Sequence, residues 1–227
     1  MMKQLNKTNL GWLILIALMV VVLFVGVSSN VISPFYQITL VTILINVILA
    51  IGLNLVIGFS GQFSLGHAGF MAIGAYSGAI IGDKIEGLPG FFAGLFVGMF
   101  ISIVVALIVG IPTLRLKGDY LAIATLGVAE IIRILILNMG DLTNGARGIS
   151  GISFPFESNM SFIMVLFLIV IVTSIITINY IHSSPGRATI AIREDEIAAE
   201  SMGVNATTYK VIAFMIGAAT ASIAGSL

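Results

Sequence analysis

Long apolar runs separated by short polar stretches dominate the chain. A transmembrane helix needs about 20 apolar residues at a rise of about 1.5 Å per residue. Seven runs approach that length, namely residues 10–27, 35–58, 66–82, 91–111, 120–138, 161–181 and 211–227. They lack the apolar–polar alternation of barrel strands. The pattern therefore predicts an all-α polytopic membrane protein with about seven transmembrane helices.

The first run has a second interpretation. Lys3 and Lys7 precede it, as basic residues precede the apolar core of a cleaved signal peptide. The run is long for such a core, however, and no alanine-type cleavage site follows it. A first transmembrane helix is therefore favoured.

The positions of Lys and Arg predict the orientation, because short cytoplasmic loops carry an excess of these residues. If every run crosses and the N-terminus is cytoplasmic, seven basic residues lie inside and two lie outside, with Arg133 within a run. The inner residues are Lys3, Lys7, Arg115, Lys117, Arg187, Arg193 and Lys210, and the outer ones are Lys84 and Arg147. This bias predicts a cytoplasmic N-terminus.

Composition supports the membrane class and removes several alternatives. Apolar residues make up 59% of the chain and charged residues only 9%, whereas about a quarter of a soluble domain is charged. The net charge of zero gives no electrostatic case for binding nucleic acid. With no cysteine and two distant histidines, the sequence predicts no disulfide, no metal site and no cofactor.

The polar segment 182–205 is the longest predicted cytoplasmic stretch. After a turn signal at residues 183–186, helix formers continue to Gly203, a natural stop. The acidic residues 194–196 fit the start of a second short helix, where the helix dipole favours them, and Ile190, Ile197 and Met202 could supply apolar contacts. Such helices lie on a membrane surface or dock into a partner. Acidic residues outnumber basic ones here, which favours a partner.

The glycine-rich stretch 58–69 interrupts the apolar pattern. Four of its twelve residues are glycine, and its polar residues are Ser60, Gln62, Ser64 and His67. Irregular backbone at membrane depth must be buried in protein or line a cavity, and transporters use broken helices to hold polar solutes. The alternative is a cytoplasmic turn before a helix that Ser64 caps, with His67 as a structural hydrogen-bonding residue. Both interpretations stay open.

Glu130 and Arg133 are charged residues within the fifth run, three positions apart on one helix face. Charges inside a transmembrane segment are costly and usually face the bundle or a watery path. The pair could fix the position of the helix, or it could line a pathway. Pathway lining is the default for intramembrane charge, and a zwitterionic amino acid would suit such a pair.

Glycine or alanine recurs every four residues in three of the runs. This spacing is typical of faces on which membrane helices approach closely. The predicted packing faces are Gly74, Gly78 and Gly82; Gly90, Gly94 and Gly98; and Gly217, Ala221 and Gly225.

Several blocks resemble the permease subunits of bacterial branched-chain amino-acid ABC importers, in particular the larger of the two paired permeases. They are residues 52–54, 58–70, 114–127, 130–133, 145–151 and 193–199. The general importer signature has Glu-Ala-Ala followed, after three residues, by Gly. Ala198, Ala199 and Gly203 match it, whereas Ile197 stands at the Glu position and the later Pro is absent.

The resemblance implies one transmembrane permease domain over residues 1–227, in a multi-pass protein of the bacterial plasma (inner) membrane that translocates leucine, isoleucine or valine. The implied ATPase-coupling residues within 182–205 are Arg187, Arg193, Glu194, Asp195, Glu196, Ala198, Ala199 and Gly203. The residues expected along the substrate pathway are Asn54, Ser60, Gln62, Ser64, His67, Glu130 and Arg133.

The implied partners are a second permease subunit, two cytoplasmic ABC ATPase subunits, an extracytoplasmic solute-binding protein and the lipid bilayer. The sequence has no Gly-Lys pair and hence no P-loop. ATP hydrolysis is therefore expected in a separate chain, and this subunit is not expected to be an enzyme. Family members continue for several more spans, so a C-terminal part is expected to be missing here.

Two other classes of protein fit the sequence less well. An ion-gradient-driven secondary transporter or channel for a small polar solute would use the intramembrane charges and the broken helix. Such a protein does not require the polar helical segment, and no convincing inverted repeat is present. A membrane-embedded enzyme is disfavoured, because no paired catalytic groups occur within the runs.

Overall fold

Helices form all the regular structure in the described part of the chain, which confirms the predicted all-α class. The computed structural model describes residues 33–116, 118–152, 155–156 and 158–227. The helices are α1 (Pro34–Leu53), continued by a π-helical segment (Asn54–Phe59), α2 (His67–Lys84), α3 (Leu88–Thr113), α4 (Asp119–Asn138), α5 (Gly140–Thr143), α6 (Asn159–His182), α7 (Ser184–Glu194), α8 (Glu196–Ser201) and α9 (Ala206–Ser226). A 3₁₀ turn (Gly145–Arg147) follows α5.

The helix starts follow from local chemistry. Pro34 stands in the first turn of α1, where its missing N–H costs nothing. The side chains of Ser158 and Asn205 cap α6 and α9 by accepting the N–H groups of Ser161 and Thr208, at 3.3 and 3.1 Å.

Five helices among the described residues are long and apolar enough to cross a membrane: Pro34–Phe59, Leu88–Thr113, Asp119–Asn138, Asn159–His182 and Ala206–Ser226. They coincide with five of the seven predicted runs. The run at 10–27 lies outside the described residues. The run at 66–82 forms α2, which is not among the five because His67, Asp83, Lys84 and its glycines make it less apolar.

Helices α2, α3 and α9 pack against one another at the centre of the bundle. A Cβ added at Gly94 or Gly98 of α3 would lie 2.9 or 3.2 Å from the Cα of Gly78 or Gly74 on α2. The backbones of α2 and α3 therefore touch where side chains would separate them. The predicted packing role of these four glycines is confirmed.

The same two glycines of α2 also contact α9. A Cβ at Gly74 would overlap the backbone of Ser222, and one at Gly78 would lie 3.1 Å from the Cβ of Ser226. On α9, Gly225 lies against the backbone of Met71. Such close approach explains why α9 can bury half of its span.

The remaining members of the predicted packing faces differ in what surrounds them. Gly217 of α9 packs against Val56 of the π-helical segment, and Ala221 is fully buried, so both are in helix contacts. A Cβ at Gly90 would overlap the carbonyl oxygen of Ile85 just before α3. Gly82 has open space where a Cβ would stand. The prediction of an interhelical packing role for Gly82 was therefore wrong, because the last turn of α2 extends beyond the contact.

Candidate functional site

The polar segment after α6 folds into α7 and α8. Ser183 caps α7 by accepting the N–H of Gly186 at 3.2 Å, and Pro185 stands in the first turn. Residues 183–186 are thus the N-cap and the first turn of α7, so the helix begins within the predicted turn signal. Arg187 donates from Nη1 to the carbonyl oxygen of His182 at 2.7 Å and so satisfies the C-terminal end of α6.

A sharp corner at Asp195 separates α7 from α8, which confirms the predicted second short helix. The Asp195 carboxylate accepts the N–H of Ala198 at 3.0 Å, as expected for an N-cap. At the other end, Gly203 has a φ of +85°, and the N–H of Val204 reaches the carbonyl of Ala199 at 3.1 Å. This ending is typical of a helix stopped by glycine, so the stop predicted at Gly203 is confirmed.

A small apolar cluster fixes this corner to α9. Ile192 of α7, Ala199 of α8 and Ala206 of α9 are buried together. Ile197 and Met202, in contrast, are 75% and 84% exposed. The corner is thus anchored on one side and presents apolar side chains on the other.

An ion pair adds to this anchor. The Nζ of Lys210 on α9 lies 2.8 Å from Oε1 of Glu196 on α8, and the two side chains are only 13% and 24% exposed. Glu196 therefore faces α9, whereas Glu194 and Asp195 are exposed.

The glycine-rich stretch lies at the same end of the bundle as α7 and α8. The side chains of Ser60, Gln62 and Ser64 are buried. Gln62 Nε2 donates to the carbonyl of Lys210 at 3.0 Å and also to the hydroxyl of Ser60. Thr125 of α4 accepts the N–H of Leu65 at 3.0 Å. Hydrogen bonds to α9 and α4 therefore hold this irregular segment, although Oε1 of the buried Gln62 has no hydrogen-bond partner among the described residues.

Arg193 connects the two predicted site regions. Its Nη1 donates to the carbonyl oxygen of Gly58 at 2.7 Å, across 135 positions of sequence. Gly61, with a φ of +67°, leaves room for the aliphatic stem, because a Cβ there would lie 2.6 Å from Cγ of Arg193. We call the contacts among Arg193, Gly58 and Gly61 the polar joint. Arg193 also pairs with the neighbouring Glu194.

The other predicted pathway residues near this segment have distinct surroundings. Asn54 is exposed, and its amide lies against Gly58, where a Cβ would overlap it. His67 has a buried Nε2 without a hydrogen-bond partner. The hydroxyl of Ser64 accepts the N–H of Gly66 at 3.3 Å, and Gly66 itself is the N-cap of α2. Ser64 therefore does not cap α2 in the predicted way.

Glu130 and Arg133 form a bidentate ion pair on α4. Arg133 Nε and Nη2 donate to Oε2 and Oε1 of Glu130 at 2.8 and 2.6 Å. The two side chains are 51% and 61% exposed, and Leu126 and Ile134 on the same face are exposed as well. The pair thus lies on an open face of the described bundle, outside its core.

A cavity of about 360 Å³ lies at the opposite end of the bundle, between the end of α2, the start of α3 and the end of α9. Phe91, Phe156 and Phe162 form its aromatic wall, with the ring centroids of Phe91 and Phe156 5.1 Å apart. The predicted pathway residues lie elsewhere in the described chain.

Some residues of the polar end were not predicted as part of a site. Gly58, Gly61 and Thr125 lie in the resembling blocks, where the sequence alone gives none of them an individual role, and Lys210 bears only on the predicted orientation. Glycine tolerates a positive φ, and this property is the local signal that could have marked Gly61. The partner of each residue is distant in sequence, so no local pattern could have identified it.

Comparisons with known proteins give a consistent family. The family model described as "Branched-chain amino acid transport system / permease component" matches residues 33–227. Two relatives are each described as "High-affinity branched-chain amino acid transport system permease protein LivM", one from Salmonella typhimurium and one from Escherichia coli. Each is 38% identical over 213 residues, covering 81% of this chain and 50% of the relative. The chain therefore spans about half the length of the curated relatives it matches. No solved structure matches it.

Proposed function

The chain belongs to the family of permease components of branched-chain amino acid transport systems, and from this premise we propose that it is a transmembrane permease subunit of an ATP-driven importer. The importer carries leucine, isoleucine or valine across the bacterial plasma membrane. This chain contributes one multi-pass permease domain. Its partners are a second permease, two cytoplasmic ABC ATPase subunits and an external solute-binding protein.

The observation that best supports the proposal is the construction of the α7–α8 corner. The corner is anchored to the bundle through Ile192, Ala199 and Lys210, yet it exposes Ile197 and Met202. Large apolar side chains at the tip of a polar segment suit a protein partner better than water. An ATPase that binds there would push on a rigid corner rather than on a loose loop.

The open face of α4 supports a transport role for Glu130 and Arg133. A charged pair in the middle of a span is costly against lipid, so it requires a protein neighbour or a watery path. The pair presents a carboxylate and a guanidinium side by side, which match the two charges of a free amino acid. We assign this face to the substrate pathway, between this chain and the second permease.

The ATPase partnership can be tested by co-purification. The chain is co-expressed with its candidate permease and ATPase partners and purified in mild detergent. The Ile197→Ser/Met202→Ser double variant should retain ATPase at least about tenfold less well, because loss of two apolar anchors removes more than about 1.4 kcal/mol of binding.

A matched control makes this result specific. Met139→Ser/Leu142→Ser removes a methionine and an aliphatic side chain that are about half exposed, near the end of α4 and in α5, at the other end of the bundle. It should retain ATPase as the native chain does. If the folded native chain never retains an ATPase, the importer assignment is wrong and a gradient-driven carrier is favoured.

A further inference from the structure

The polar joint lies where α1 changes its helical geometry. The segment that continues that helix, Asn54–Phe59, is π-helical, a rare geometry that occurs often at functional sites. The bonds that close this segment run from the N–H of Ser60 to the carbonyl of Leu55, and from the N–H of Gln62 to the carbonyl of Val56, both at 3.0 Å. The carbonyl of Gly58 accepts the guanidinium of Arg193 instead.

Arg193 is the residue of α7 that makes this connection. A guanidinium bonded to a carbonyl is a charge-assisted hydrogen bond, stronger than a neutral one. The stem of the same side chain fills the space over Gly61. One residue therefore holds both the end of α1 and the loop that follows it.

A second set of contacts ties the same loop to α8 and α9. Gln62 bonds the carbonyl of Lys210, and the ammonium of Lys210 pairs with Glu196. The loop is thus held from α7 through Arg193 and from α9 through Gln62. Displacement of the α7–α8 corner would pull on the loop at both points.

We propose that Arg193 is a positioning residue that transmits movement of the α7–α8 corner to the π-helical end of α1. The inference rests on the proposed function, because a bound ATPase supplies the movement. In this mechanism the polar joint stays closed throughout the transport cycle. Without it, the ATPases bind and hydrolyse ATP, but α1 no longer follows them.

Two substitutions of Arg193 separate this role from simple docking. Arg193→Met keeps an apolar stem over Gly61 and removes the donor, whereas Arg193→Lys keeps a charged donor. In proteoliposomes with the complete importer, leucine transported per ATP hydrolysed should fall about tenfold or more in Arg193→Met and by less in Arg193→Lys. ATPase retention should be unchanged in both, whereas a purely structural role would lower retention together with transport.

A covalent replacement of the joint gives the decisive test. The chain has no cysteine, and a Cβ at Gly61 would lie 3.3 Å from Cβ of Arg193, near the 3.5–4.5 Å of a disulfide. The oxidised Gly61→Cys/Arg193→Cys chain should recover coupling that the reduced chain lacks. The oxidised and reduced chains carry the same substitution at residue 61, so strain at that residue is present in both and does not affect the comparison.

The matched control places the same bridge elsewhere. Gly69 of α2 lies against Ala129 of α4, and a Cβ added at Gly69 would lie 3.3 Å from the Cβ of Ala129, the same separation as in the polar joint. The control chain therefore carries Gly69→Cys/Ala129→Cys together with Arg193→Met. Oxidation of this control should not restore coupling. The inference is overturned if Arg193→Met transports normally, or if the oxidised joint blocks transport. If even the native chain retains no ATPase, the proposed function fails first and the inference falls with it.

Discussion

At Gly74 the bundle depends on the absence of a single carbon atom. Its Cα faces α3 on one side and the backbone of Ser222 in α9 on the other, so no methyl group fits without moving a helix. Gly82, two turns later on the same helix, has nothing within 4 Å of an added Cβ. Both glycines belong to the same four-residue repeat in the sequence, but only Gly74 has neighbouring backbone where a Cβ would stand.

Alanine substitutions at these two glycines should therefore have opposite effects on stability. Gly74→Ala should destabilise the chain by about 1–3 kcal/mol through overpacking, which lowers Tm by roughly 2–12 °C for a chain of this size. Gly82→Ala should leave Tm unchanged or raise it slightly, because alanine favours a helix. Thermal unfolding in mild detergent measures both. Equal changes in Tm for the two substitutions would mean that the close backbone contact at Gly74 does not explain its effect on stability.

Residue spacing predicted the glycine faces but not which glycines touch a neighbour. The small-xxx-small pattern identifies a face, and Gly74, Gly78, Gly94 and Gly98 do lie in contacts. How far the contact extends depends on the crossing of the helices, which the sequence of one helix does not contain. Gly82 lies past that limit.

At the scale of helices, α4 differs from its neighbours because its charged pair is on an open face. The chain should tolerate the removal of both charges better than the removal of one, since a single substitution leaves the other charge unpaired within a membrane span. Glu130→Leu alone should lower the yield of folded chain several-fold, whereas Glu130→Leu/Arg133→Leu should restore it. Size-exclusion chromatography of detergent-purified chains provides the measurement.

Transport by the double variant then distinguishes the two roles of the pair. A folded Glu130→Leu/Arg133→Leu chain should transport leucine at least about tenfold more slowly if the pair lines the pathway. Normal transport by this variant would show that the pair only fixes the position of α4.

The helices themselves were largely predictable, whereas their contacts were not. The runs at 120–138 and 161–181 match α4 and α6 within two residues at each end, because hydrophobic length and caps are local signals. The bond between Arg193 and Gly58 was not predictable, because it joins residues far apart in sequence. The exposure of Glu130 and Arg133 likewise depends on how α4 packs against α2.

At the scale of the molecule, the contacts divide the bundle into two ends. Residues 60–66, the start of α4 and the α7–α8 corner meet at one end through Arg193, Gln62 and Thr125. The end of α2, the start of α3 and the residues Ile152, Pro155 and Phe156 lie at the other, around the aromatic cavity. This division agrees with chain crossings that alternate in direction, and the excess of Lys and Arg predicts that the first end is cytoplasmic.

Single cysteines test that assignment in living cells, because the native chain has none. Ile152 and Met202 are 51% and 84% exposed at opposite ends. A membrane-impermeant maleimide should label Ile152→Cys in intact cells whose outer membrane, if present, has been made permeable. In cells that express the chain without its ATPase partners, it should label Met202→Cys only after the plasma membrane is opened, and it should not label the cysteine-free parent. Labelling of Met202→Cys from outside would mean that the topology is the reverse of the predicted one. The α7–α8 corner would then lie where no cytoplasmic ATPase could reach it, and both the importer proposal and the role of Arg193 would fail together.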